Sequence, residues 1–285
     1  MSCEGCASRG NCSKEKGGGC SLKENPHNHI KRIVAVMSGK GGVGKSTISV
    51  MLAKAMAAQG LKVGILDADI TGPSIPRMMG LEDQKAFANQ EGEILPVCGE
   101  DGIKIMSLNY LLQDENEPVV WRGPVITGVL KQFFTDVYWG DLDVLFIDMP
   151  PGTGDVALTI LQEFPVSGVV MISTPQPMVS MIVTKAIRMC RLMKIKVFGV
   201  VENMAYLNCP NCSEKIMFYN EEELNQFIEQ NEVKLYGTLP QTDLIRNVNI
   251  YDSFNLQQQN ELNGFFREIA AELEKDMNLT GENNA

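Results

Sequence analysis

The stretch from Ile33 to Thr47 constrains this chain more than any other. It opens as a continuous apolar run, Ile33-Val34-Ala35-Val36-Met37, which suits a strand buried on both faces of a sheet. Ser38-Gly39-Lys40-Gly41-Gly42-Val43-Gly44-Lys45-Ser46-Thr47 follows, and then Ile48 to Gln59 reads as a helix stopped by Gly60. A strand, a glycine-rich turn and a helix carrying Gly39-x-x-x-x-Gly44-Lys45-Ser46 form the phosphate-binding loop pattern. Its glycines let successive N–H groups converge on one anion, and the helix N-terminus adds its dipole. Lys45 supplies a point charge for the outer phosphates, and the Ser46 hydroxyl is a ligand for Mg²⁺.

Lys40, directly after the first glycine, is not part of the general pattern. With it the loop resembles the deviant Walker A loop of the MinD/ParA/nitrogenase-reductase class. The resemblance implies that Lys40 reaches into a partner subunit's nucleotide when two chains sandwich ATP, hence a nucleotide-dependent homodimer.

From Ile30 the chain alternates strand and helix patterns. Strands are expected at Lys62–Leu66, Ile103–Leu108, Asp143–Ile147, Gly168–Thr174, Ile195–Val201 and Val233–Leu239. Helices are expected at Gly123–Tyr138, Pro177–Met193, Glu221–Gln230 and within Phe254–Met277, with Leu81–Asp101 as excursion loops. In the Pro177 helix, Met178, Met181, Ile182, Ile187, Met189 and Leu192 supply the apolar content, and core packing is expected for the methionines and for Cys190. This order predicts an α/β fold with a mostly parallel, doubly wound sheet. Ligands then gather at the carboxyl ends of the strands. Asp67 and Asp69, Asp148 with the following Pro-Pro-Gly152, and Asn203 all follow expected strands. Asp148 at the end of a buried strand is the Walker B arrangement, Gly152 permits close backbone approach to a γ-phosphate, and Asp155 reads as a helix cap.

Lys+Arg 25 against Asp+Glu 35 gives a net charge of −10, which makes nucleic acid a poor general partner. No run of roughly 18 apolar residues and no apolar N-terminal signal region is present, so a cytoplasmic protein without a membrane span is expected. In that setting eight cysteines point to metal or redox chemistry before disulfides.

Residues 1–29 lack apolar periodicity and read as a cysteine-rich tail ahead of an ATPase domain at 30–280. Cys3, Cys6, Cys12 and Cys20 offer four thiolates, enough for a [4Fe-4S] cluster or a tetrahedral Zn²⁺. His27 and His29 read as exposed tail histidines, and Cys98 as a lone structural thiol. Cys209-Pro210-Asn211-Cys212 supplies two thiolates, half the shell of a [4Fe-4S] cluster; a zinc half-site and a dithiol pair are the alternatives.

By Asn203 the chain resembles the Mrp/ApbC family of P-loop ATPases that carry and transfer iron–sulfur clusters. The matching segments are Ser38–Thr47, Asp67–Pro76, Asp148–Asp155, Val201–Leu207 and Cys209–Cys212. The resemblance implies that Gly39 to Thr47 bind the triphosphate of ATP and that Asp69 lies near the attacking water. It further implies that Asn203 contacts the adenine edge and that Cys209 and Cys212 of two chains hold one [4Fe-4S] cluster for apo-protein clients. The tail is similar to that of Nbp-type members, but nothing precedes Cys3, and the fourth cysteine, Cys20, lies downstream. A MinD/ParA-type positioning ATPase is the alternative; it needs a basic amphipathic end, whereas Phe265–Asp276 is net acidic. An ATP-driven reductase would need cysteines after the switch segments, where Cys98 and Cys190 do not sit.

Overall fold

The computed structural model describes residues 22, 25–70, 72–112, 123–209, 211–212, 214–218, 220–241 and 256–279. The first half comprises β1 (His29–Ser38), α1 (Lys45–Ala57), β2 (Val63–Asp67), α2 (Ile75–Met78), β3 (Phe87–Ala88), β4 (Ile94–Leu95), β5 (Val97–Cys98), β6 (Lys104–Met106) and α3 (Gly123–Thr135). The second comprises β7 (Asp141–Asp148), α4 (Asp155–Glu163), β8 (Gly168–Ser173), α5 (Pro177–Leu192), β9 (Val197–Asn208), β10 (Lys215–Met217), α6 (Glu221–Asn231), β11 (Leu235–Pro240) and α7 (Leu256–Asp276).

The main sheet runs β10-β9-β8-β1-β7-β2-β6-β5, with β11 also paired to β9. Only β5 on β6 and β10 on β9 are antiparallel among these pairings; the rest are parallel. A central, two-sided β1 explains its unbroken apolar run. Val34 and Val36 face one core, while Ile33, Ala35 and Met37 face the other. On the first face, Ile48, Leu52 and Met56 of α1 lie between the sheet and a stripe of α7 formed by Leu262, Phe266, Ile269 and Leu273. On the second face, Leu130 and Phe133 of α3, Ile160 of α4 and Val183 and Ile187 of α5 cover the sheet.

Several expectations are corrected. α5 buries Val179, Val183, Ala186, Ile187 and Cys190, so its inward stripe is set one register away from the methionines; Met178 and Met181 are exposed. The expected helix through Tyr138 ends at Thr135, because Trp139 turns inward and its indole donates to the Phe133 carbonyl at 3.1 Å. β9 does not stop at Val201 but continues to Asn208, with Met204 in a left-handed kink (φ 55) where the pairing with β11 slips. Asn25 to Asn28 lie against the fold. Asn28 donates to the Val137 carbonyl and accepts from the Gly140 N–H, each at 2.9 Å, which fixes the entry to β1.

Candidate nucleotide site and cysteine pair

The phosphate loop leaves the carboxyl end of β1 and enters α1 through Gly44, whose φ of 84° is the left-handed conformation that only glycine adopts cheaply. A side chain at Gly44 would also collide with the Asn203 amide. The first-turn N–H groups of α1 have no intrahelical acceptor, so a cradle for an anion is present before any ligand arrives. Val43 and Thr47 are buried and anchor the two ends of the turn.

Lys45 is buried, and its ammonium donates to Asp148 Oδ1 at 2.8 Å. Ser46 donates to Asp148 Oδ2 at 2.6 Å and Ser49 to Oδ1 at 2.9 Å. Asp67 accepts from the Ile75 N–H and the Ser107 hydroxyl, each at 3.3 Å. Burial, and then the Asp148 carboxylate, push Asp67 up to about 8, only partly offset by Lys45. Asp69 raises it further, so Asp67 has two acidic neighbours and one buried ammonium, Lys45, acting on it. Such a donor set lacks positive charge, and it fits a hydrated Mg²⁺ held through Ser46 and Asp148. Gly152 bonds through its N–H to the Ser38 carbonyl at 3.0 Å, which brings the segment after Asp148 against the loop. Asp155 is the first residue of α4, where its charge meets the helix dipole; Gly154 is the cap, without a side-chain bond.

Lys40 places its ammonium on Gln176 Oε1 at 2.5 Å, at the N-cap of α5. Neither Ser49 nor Gln176 was legible in the sequence. The one available signal for Ser49 was its place a turn after Lys45, on the buried side of α1.

Asn203 is fully buried; its amide donates to the Val43 carbonyl at 2.8 Å, and its Oδ1 has no partner among the described residues. β9 then carries the chain to Cys209, whose N–H bonds to the Glu214 carbonyl at 2.9 Å and closes the loop before β10. The N–H groups of Asn211 and Cys212, followed by the Cys212 thiol, hold the Cys209 thiol below its usual value. N–H donors converging on sulfur favour the thiolate, the form that binds metal. Leu207, Ile216, Met217 and Phe218 flank the pair as exposed apolar side chains. Cys190 is buried and pushed up to about 11 by burial, while Cys98 is exposed on β5. Cys3, Cys6, Cys12 and Cys20 lie outside the described residues.

A family model described as ParA, the NUBPL iron-transfer P-loop NTPases, matches residues 29–274. An iron-sulfur cluster carrier protein of Clostridium perfringens is 47% identical over 252 residues, which span 84% of this chain and 88% of the relative. Among solved structures, a nucleotide-binding protein from Archaeoglobus fulgidus in complex with ADP is 39% identical with a TM-score of 0.66, covering 84% of this chain and 88% of that one. The cell-division ATPase MinD of Pyrococcus furiosus has a TM-score of 0.60 at 20% identity, over 86% of this chain and 99% of its own; that likeness is one of fold.

Proposed function

The chain belongs to the family of NUBPL iron-transfer P-loop NTPases, and from that premise we propose that it is an ATP-hydrolysing carrier that assembles an iron–sulfur cluster and passes it to apo-proteins. The observation that carries this reading is the tie between Asn203 and the phosphate loop, because the same strand leads on to Cys209 and Cys212.

In this reading the loop N–H groups from Gly39 to Thr47 take the phosphates, and Lys45 exchanges Asp148 for the β/γ-phosphates. Ser46 and Asp148 would hold Mg²⁺, which supplies positive charge to the phosphate oxygens. Asp69 orients the attacking water and Gly152 leaves room for the γ-phosphate. Lys40 leaves Gln176 and reaches the nucleotide of a second copy, which makes the ATP-bound form a homodimer. Asn203 already holds the loop through its donor, and its Oδ1, without a partner among the described residues, suits the adenine amino group. ATP turnover is slow in this reading, and both lysines exchange their present partners for the phosphates.

The cargo is a [4Fe-4S] cluster bridged by Cys209 and Cys212 of two chains, with the flanking apolar side chains of β9 and β10 closing the contact. Cys3, Cys6, Cys12 and Cys20 serve as a second ligand set ahead of the ATPase domain, which Asn25 to His29 already join through the bonds of Asn28. Clients are apo iron–sulfur proteins in the cytoplasm; nucleic acid and membrane are not partners. No described helix is long and apolar enough to cross a membrane. The positioning-ATPase alternative needs a free amphipathic end, and the apolar stripe of α7 is instead spent against α1.

The test is delivery. An apo iron–sulfur enzyme incubated with cluster-loaded protein should regain activity at a rate that changes with ATP. A rate equal to that of free iron and sulfide, with or without ATP, would refute the carrier reading.

A further inference from the structure

We propose that His27, Glu91 and Glu93 form a binding site for a first-row divalent cation of the Zn²⁺/Fe²⁺/Co²⁺ type, at the end of the sheet opposite the nucleotide. The reading of the ATPase site does not bear on it. The ten residues of β1 separate the two ends, a span of about 30 Å at roughly 3.3 Å per residue.

The ligand atoms of these three side chains lie within 4.8 Å of one another. They open onto a cavity of about 680 Å³ that also meets His29 and Asp141. The chain has only two histidines, and both line this one cavity. His27 Nδ1 sits 2.8 Å from Glu93 Oε1.

The site is supported from behind. Asn25 donates to Glu93 Oε1 at 3.0 Å, and Asn89 donates to Oε2 at 2.9 Å. Asn89 is itself fixed, its side-chain oxygen accepting from the N–H groups of Glu91 and Glu93 at 2.9 Å. The two amides hold the Glu93 carboxylate from behind, one on each oxygen. Amide donors on a ligating carboxylate are what a metal site needs to aim its ligands. Asn28, bonded to Val137 and Gly140, fixes the backbone beside His27. The Glu91 carboxylate has no hydrogen bond or ion pair among the described residues, and a cation between it and the His27–Glu93 pair would give it one. One imidazole and two carboxylates carry charge −2, matched to a divalent ion, and the imidazole selects a transition metal over Mg²⁺ or Ca²⁺.

The experiment uses the full chain with Cys3, Cys6, Cys12, Cys20, Cys209 and Cys212 replaced by serine, so that no thiolate of those sets competes. Co²⁺ is titrated by visible absorption and Zn²⁺ by calorimetry, each in excess Mg²⁺. Saturable binding of one ion per chain is expected, with a spectrum free of thiolate charge transfer. His27→Ala and Glu91→Gln should each weaken it at least about tenfold, in the range found for lost metal-site support. Zn²⁺ should raise the melting temperature of the parent and, at the same concentration, raise that of Glu91→Gln, which loses no described contact, by clearly less. Absence of saturable binding, or binding that both substitutions leave intact, would overturn the proposal.

Discussion

The side-chain amide of Asn203 donates to the backbone carbonyl of Val43 at 2.8 Å and thereby ties β9 to the phosphate loop. Two segments 160 residues apart in sequence therefore share one buried bond, six residues before the cysteine pair begins. Asn203→Ala leaves the Val43 carbonyl without its donor, a loss of about 1–3 kcal/mol. ATP affinity should fall about tenfold, as that energy implies. The rate of cluster transfer should also cease to depend on ATP. Calorimetry and the transfer assay, run side by side, check both.

Lys45 and Asp148 are buried together, so the pair is harder to break than a surface bridge. Lys45→Ala removes the charge meant for the phosphates and strands Asp148. Steady-state hydrolysis should drop by about 10²-fold or more. Thermal or denaturant unfolding should show a loss on the order of 3 kcal/mol, the cost of an uncompensated buried charge. Asp148→Asn should retain more nucleotide binding than Lys45→Ala while still losing turnover.

Lys40 bonds to Gln176 of its own chain, at the surface, where it is free to move. Lys40→Ala should bind ATP as a monomer yet hydrolyse it poorly and fail to dimerise with it. Gln176→Ala should do the reverse and raise the ATP-dependent dimer fraction, because no bond must be surrendered first. Sedimentation with and without a non-hydrolysable nucleotide distinguishes the two.

Glu202 gives a pH signature. Burial pushes its carboxyl from 4.5 up to about 7, with Ser173 as its hydrogen-bond partner lowering it only slightly. Between those values the folded protein holds a proton that the unfolded chain releases. Stability from this group is therefore complete below about pH 4.5 and lost as pH rises through about 7. The change amounts to roughly 3 kcal/mol. Glu202→Gln should flatten the melting temperature between pH 5 and 8. Asp67, raised in the same direction, supplies the slope that remains. An unchanged slope would show that Glu202 titrates like an exposed acid.

The strand–loop–helix core was legible because β1 is buried on both sides and its glycines have no other cheap use. The same logic located Asp67, Asp148 and Asn203, each set near the loop by a parallel strand. What stayed hidden depends on the assembled fold. A serine inside a helix, as Ser49 is, has no signature until Asp148 is placed above it. The course of β9 past Glu202 turns on a left-handed Met204 held by its neighbours. The inward stripe of α5 was misread because methionine spacing fits either side of a helix, and packing against the sheet decides it. His27 meets Glu93 across 66 residues, which no local pattern encodes.

In the proposed function Cys209 and Cys212 of two chains share one transferable cluster. The direct measurement is anaerobic reconstitution of the full chain with Cys3, Cys6, Cys12 and Cys20 replaced, followed by gel filtration and iron analysis of the eluted peak. The expected result is a dimer carrying about four iron atoms, as one cube with four thiolate ligands requires. Iron-free protein that still binds ATP is expected when Cys209→Ala/Cys212→Ala is added. A double variant that keeps its iron and still delivers it, or a parent that holds its full complement as a monomer, would contradict it.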